Sequence, residues 1–135
     1  MKRNLPRALS RKLPQLKKIF ASDPRVLAVF LFGSQADGTA TPRSDIDLAV
    51  LFDREIDFKE ELAFEVKVSL LLRTHDVDVV NLNRASLPLR FRAIAGILLY
   101  ERDFVRAADF IEQTLIEQRD FAPRQEAILR DYFAA

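Results

Sequence analysis

Residues Val26 to Phe32 read VLAVFLF, an apolar run closed by Gly33. A half-exposed strand alternates apolar and polar positions, so an unbroken run predicts a strand buried on both faces. Ile46 to Phe52 (IDLAVLF) predicts a second strand, and Val77 to Leu82 a third, interrupted by Asp78. Leu9, Leu13, Leu16, Ile19 and Phe20 recur at helical spacing and predict an amphipathic helix around residues 10–21. Asp57 and Glu60 have the spacing of a capping box, with Asp in place of Ser or Thr, so a helix is expected from Phe58 to about Arg73. Ser86 and Pro88 open another, with Gly96 as a plausible C′ residue. Ile97 to Tyr100 reads as a short edge strand. From Asp103 onward, Phe104, Ala108, Ile111 and Leu115 mark a helical stripe. Pro123 is expected to bend or restart that helix before the last turns over 124–133.

Asp37 to Ser44 (DGTATPRS) is turn chemistry joining the first two strands. The order α-β-loop-β-α-β-α-(β)-α belongs to the α/β class: a small mixed β-sheet flanked by helices. No repeat or low-complexity linker divides the 135 residues, the size of one domain. The expected organisation is a single domain, 1–135, with a basic N-terminal helix in 1–22, a core over 23–101 and a C-terminal helical segment over 102–135.

Composition narrows the chemistry. There is no cysteine and only one histidine, His75. Zinc–thiolate sites, iron–sulfur clusters and thiol nucleophiles are excluded, and Ser-His-Asp hydrolysis is disfavoured. Carboxylates, hydroxyls and backbone remain, a set suited to hard cations and phosphates. No apolar run approaches the roughly 20 residues of a membrane helix, and the N-terminus lacks a signal-peptide apolar region. A cytoplasmic protein without membrane attachment is the expectation. Lys and Arg total 21 against 20 Asp and Glu, which argues against a chain-wide polyanion-binding surface. Residues 1–22 hold seven Lys or Arg and no acid, so that helix is the one place left for nucleic acid or an acidic partner.

Three features carry candidate chemistry. Gly33-Ser34 comes directly after a buried strand, where a glycine lets backbone approach a ligand and a turn offers N–H groups and a hydroxyl to phosphate. Asp45 and Asp47, two apart, share one face of a strand. Either that face is solvated or a cation sits between them. Asp78 stands inside a β-branched run, on an edge strand with one wet face or at a site. Asp76 lies on the same side two residues earlier, and Asp78 is the candidate because it is deeper in the strand. A short loop makes the first two strands antiparallel, and a crossover helix makes the second and third parallel. All five residues are then expected at one end of the sheet.

Gly33-Ser34, ten intervening residues and Asp45-Ile46-Asp47 resemble the GSx10DxD signature of DNA polymerase β-like nucleotidyltransferases. The stretch LFGSQADGTATPRSDIDLAVLF is similar to the minimal nucleotidyltransferase (MNT) branch, and VDVV over 77–80 matches its third-carboxylate strand. The segment LPLRFRAIAGILLYERD resembles the part of that branch C-terminal to the same strand. The likeness spans residues 26–103 and extends loosely to the C-terminal helix.

This resemblance implies the polymerase β-like fold and an antitoxin partnered with an HEPN ribonuclease toxin encoded by a neighbouring gene. Such a protein uses ATP and Mg²⁺, with two ions, to transfer AMP onto a toxin tyrosine and release pyrophosphate. Gly33 and Ser34 would bind the nucleotide phosphates. Asp45 and Asp47 would bind metal, and Asp78 would complete one metal site and help activate the acceptor hydroxyl. Gln35 departs from the Arg or Tyr often found there. Neutralisation by occlusion alone and transfer to a small molecule are the alternatives, the latter short of room for a second substrate-binding domain.

Several other residues are open to more than one reading. Arg43 is placed to reach a phosphate or to pair with an Asp. His75 reads as a junction residue and not as a base, and Tyr100 and Tyr132 as packing or surface positions or as targets of self-modification. The 103–133 helix is the best candidate for a partner surface.

Overall fold

Apolar residues on both sides of β1 dictate a three-layer arrangement. The computed structural model describes residues 5–41 and 45–133. β1 (Val26–Phe32) is central in a four-stranded sheet of order β3-β2-β1-β4, with β2 (Ile46–Phe52), β3 (Val77–Asn81) and β4 (Ile97–Glu101). All seven β1 residues are buried. Val26, Val29 and Leu31 face α1 (Arg7–Ser22) and α3 (Phe58–Leu72), in a core with Leu16, Phe20, Phe64 and Val68. Leu27, Ala28, Phe30 and Phe32 join the opposite core with Ala93 of α4 (Leu87–Ile94) and Ala107 of α5 (Phe104–Phe133). The register shift between Val26 and Ala28 lets Leu27 and Ala28 enter the same core.

β1 pairs antiparallel with β2 and with β4, while β2 pairs parallel with β3 across α3. The mixed α/β sheet and its short edge strand β4 are as expected. The capping box is present: the Glu60 N–H donates to Asp57 at 2.8 Å and the Asp57 N–H to Glu60 at 3.2 Å. One further element, α2 (Ser34–Asp37), occupies the start of the loop after β1.

Two expectations need correction. α1 begins at Arg7, about one turn early, because Leu9 is buried and extends the apolar stripe that pulls the first turn onto the core. α5 is not restarted at Pro123; it runs unbroken for 30 residues. A proline removes one backbone hydrogen bond, and exposed flanking residues leave its ring free of tertiary clashes. Gly96 stands at C′ of α4, as expected, but without a left-handed conformation. Its need for glycine is steric: a Cβ there would overlap the Leu31 carbonyl oxygen of β1. Of the loop over 37–44, Arg43 and its neighbours Pro42 and Ser44 lie outside the described residues, as does the Tyr132 side chain.

Candidate active site

The antiparallel turn from β1 to β2 and the parallel crossover from β2 to β3 bring the C-terminal end of β1 and the N-terminal ends of β2 and β3 to one sheet edge. Phe32 stands opposite Asp47 in the β1–β2 register, and Asp47 opposite Asp78 in the β2–β3 register. Strand alternation puts Asp47 with Ala49 and Leu51, and Asp78 with Val80, on the α4–α5 face. Asp76 is placed differently. Its carbonyl accepts the Ile46 N–H at 2.7 Å and starts the ladder, so Asp78 rather than Asp76 stands beside Asp47.

Gly33 adopts φ 72°, ψ −154°, a backbone that L side chains rarely take. Its carbonyl accepts the N–H groups of Ala36 and Asp37, each at 3.1 Å, and so turns the chain into α2. A Cβ on Gly33 would overlap Oδ2 of Asp47. The glycine therefore serves two ends: it makes the turn, and it leaves room for a carboxylate against the backbone. Ser34 opens α2 immediately afterwards, half-buried. At the far end of α2, Asp37 Oδ1 accepts from the Thr39 N–H at 3.0 Å and its hydroxyl at 2.6 Å, which closes the turn locally.

Asp47 is half-buried, and Asp45 and Asp78 are exposed. Burial pushes the Asp47 carboxyl pKa above its ordinary value, and the negative charges of Asp78 and Asp45 push it further. Arg92 of α4 is the cation that opposes them. None of the ion pairs among the described residues involves Asp45, Asp47 or Asp78. Three hard-oxygen donors without an ion-paired base are of the ligand type that Mg²⁺ takes. Among the described residues no group of three or more His, Asp or Glu side chains stands ready to hold an ion unaided.

All five candidate residues thus lie at one edge of the sheet. Arg92 was not singled out from the sequence. Its guanidinium lies 5.7 Å from the centre of the Phe32 ring, and it lines a cleft of about 280 Å³ with Gly33, Ala36, Asp37 and Gly96. The sequence signal was a pair of arginines, Arg90 and Arg92, on a short helix after the third strand; spacing alone does not tell which one faces the acids. His75 is an exposed residue between α3 and β3, and Tyr100 packs 5.9 Å from Phe20 in the core. On α1, Arg7, Arg11, Lys17 and Lys18 are exposed.

The family model for polymerase beta nucleotidyltransferases matches residues 14–105, and the chain belongs to that family. Within it, the likeness to the minimal nucleotidyltransferase branch also holds. A chain of a toxin–antitoxin crystallised with AMP-PNP is 26% identical, with a TM-score of 0.75 over 89% of this chain and 97% of that one. A mutant MntA–HpeT toxin–antitoxin is 25% identical, with a TM-score of 0.76 over the same shares. The Shewanella oneidensis complex of a tri-AMPylated HEPN toxin with its MNT antitoxin shares the fold at 23% identity, with a TM-score of 0.71 over 91% and 97% of the two chains. No curated protein matches the chain. Among the described residues no helix is long and apolar enough to cross a membrane.

Proposed function

We propose that this protein is an antitoxin that transfers AMP from ATP onto a tyrosine hydroxyl of a cognate HEPN toxin and so neutralises it. The observation that carries this reading is the row Gly33–Asp47–Asp78, in which half-buried and exposed acids meet without a paired base beside a glycine turn. The motif resemblance and the relative crystallised with AMP-PNP support the nucleotide; its toxin–antitoxin assembly supports the partner.

In this reading Gly33 and Ser34 take the phosphates, through backbone N–H groups and the Ser34 hydroxyl. Asp45 and Asp47 hold Mg²⁺, with Asp78 completing one of two sites, and the ions supply positive charge to the phosphates. Asp78, which is exposed, also faces the acceptor and draws the proton from its hydroxyl. The hydroxyl oxygen bonds to the α-phosphorus, the bond from that phosphorus to the β-phosphate oxygen breaks, and pyrophosphate leaves with the electron pair. The whole chain acts as one nucleotidyltransferase domain, and the reaction belongs in the cytoplasm, where ATP is supplied.

The test is transfer of labelled AMP from ATP with Mg²⁺ to the co-expressed HEPN partner. Asp47→Asn keeps the volume and removes the charge, and transfer is expected to fall to background. Full transfer by Asp47→Asn overturns the metal-dependent reading.

Direct occlusion is favoured as a second contribution by one observation. Leu115, Phe121, Ile128 and Leu129 are exposed along α5 from its middle outward. An apolar stripe on an extended helix is a usual docking element for a helical partner. Neutralisation that persists in Asp47→Asn and is lost on changing Ile128 and Leu129 to Glu would assign it to contact; the reverse pattern would assign it to transfer.

A further inference from the structure

α4 carries two arginines with different employment. Arg90 is tied down: its Nη1 is 2.7 Å from Glu117 of α5 and its Nε donates to the Ala85 carbonyl at 3.2 Å. Arg92, two residues on, makes no hydrogen bond or ion pair with another described residue. It is exposed, and its guanidinium leans over the Phe32 ring. Phe32 is the register partner of Asp47, so the ring fixes the guanidinium beside the acidic row without bonding it to any acid. The cleft under it, of about 280 Å³, has Gly33 and Ala36 on one wall and Phe91, Ala95 and Gly96 on the other.

A triphosphate seated at Gly33 and Ser34 brings up to four negative charges to a site already rich in carboxylate. Metal ions neutralise part of that charge. The phosphates that become the leaving group still need a donor that does not compete for the metal, and a guanidinium pairs with phosphate through two parallel N–H bonds. An arginine already bonded to a carboxylate would have to give up that bond first; Arg92 has none to give up.

Building on the nucleotidyl-transfer reading above, we propose that Arg92 is the residue that grips the β- and γ-phosphates of the bound triphosphate and the pyrophosphate released from it. When the acceptor oxygen bonds to the α-phosphorus and the α–β bridging bond breaks, negative charge grows on the pyrophosphate oxygen. The Arg92 N–H groups donate to that leaving group, while Gly33 and Ser34 retain the α-phosphate side. Arg92 thereby distinguishes triphosphate from monophosphate.

The experiment is calorimetric titration of the full chain with ATP, AMP and inorganic pyrophosphate, each with Mg²⁺, for wild type, Arg92→Gln, Arg92→Lys and Arg90→Gln. Arg92→Gln is expected to weaken ATP and pyrophosphate on the order of ten- to hundredfold, the worth of a charge-assisted hydrogen bond, and to leave AMP unchanged. Arg92→Lys should recover part of the loss, as a charge without the fork. Arg90→Gln should leave the ATP-to-AMP affinity ratio as in wild type. If wild type binds ATP and Arg92→Gln loses nothing, or loses ATP and AMP equally, the assignment of Arg92 is overturned while the nucleotidyltransferase reading stands. If wild type binds neither ATP nor AMP, both fall together. Thermal melts of each variant separate a folding defect from a binding one, because exposed Arg92 has no structural bond to lose.

Discussion

At the edge of the sheet where β1 starts and β2 and β3 finish, acids are matched with bases. Arg25 reaches Asp23 at 2.8 Å and also pairs with Glu60 at the start of α3. Arg84 pairs with Glu61, which also accepts from the buried Asn81 amide at 2.8 Å. Asn83 continues the ladder past the end of β2, accepting the Phe52 N–H at 2.9 Å and donating to its carbonyl at 2.8 Å. At the opposite edge Asp45, Asp47 and Asp78 are gathered with no such partner, and Arg92 stands near them unbonded. Both ends are polar and both hold several charges, so charge density does not distinguish them. Satisfaction does. At one end most of the charges are already paired with one another. The other gathers acids that repel one another, the arrangement expected of a site that sacrifices some stability for binding.

After loss of the Asp47 charge itself, the largest effect should come from closing the space at the open end. Gly33→Ala places a Cβ against the Asp47 carboxylate on a backbone at φ 72°. AMP transfer is expected to drop on the order of a hundredfold, because sub-ångström displacement of a reacting group is costly. The helical content read by circular dichroism should be kept. Near-normal transfer by Gly33→Ala would mean that the Asp47 carboxylate is not held against this turn during the reaction.

Next comes the closed end. Arg25→Met removes the donor shared by Asp23 and Glu60 and leaves the Asp23 side chain, 14% exposed, short of partners. Unfolding in urea should reveal a loss of roughly 1–2 kcal/mol, with transfer unaffected. Loss of transfer at equal stability would break the separation of the two ends.

A change of opposite sign is expected from Asp47→Asn without divalent metal. Relief of repulsion from Asp45 and Asp78 should raise the thermal midpoint by on the order of 3 °C. Adding Mg²⁺ and ATP should raise the midpoint of the wild type and hardly move the variant. A lower midpoint for metal-free Asp47→Asn would show that the acids do not strain the fold.

The smallest effect is a bend in the pH dependence. In the folded protein Asp47 binds its proton more readily than in the unfolded chain, so stability rises as pH falls through its raised folded pKa. The Arg25 guanidinium holds Asp23 below the ordinary carboxylate range. Its contribution is complete above the unfolded value of about pH 4 and is lost as pH falls from there through the folded pKa. Metal-free wild type should therefore gain stability on mild acidification and lose it on further acidification. Asp47→Asn should remove the upper limb and Arg25→Met the lower one, as read from urea midpoints between pH 7 and pH 3. Identical profiles in all three proteins would remove the electrostatic contrast.

Much of this architecture is legible in residue order. VLAVFLF is apolar without alternation because β1 has helices on both sides, and Asp57 with Glu60 declares the start of α3 through local hydrogen bonds. Gly33, Asp45 and Asp47 are legible for the same reason: their chemistry is set within a turn and one strand, and strand alternation is fixed at two residues. Residues whose meaning depends on a distant element are not legible in this way. Gly96 follows the end of α4 as its sequence suggests, but its clearance against the Leu31 carbonyl is not legible there. Pro123 looks like a break, yet the exposed helix around it continues. Asp76 and Asp78 have the same parity, and only the β2–β3 register sets Asp78 beside Asp47. Arg90 and Arg92 are the same side chain on the same helix. Docking of α4 between α5 and the edge of β1 gives one a carboxylate and the other an aromatic ring beside an acidic row. The sequence by itself determined the strands, the capped helix and the acid-bearing motif, because short-range sterics and hydrogen bonds specify them. Tertiary packing alone decided which charges are neutralised and which are left open, because that depends on groups brought together from far apart in the chain.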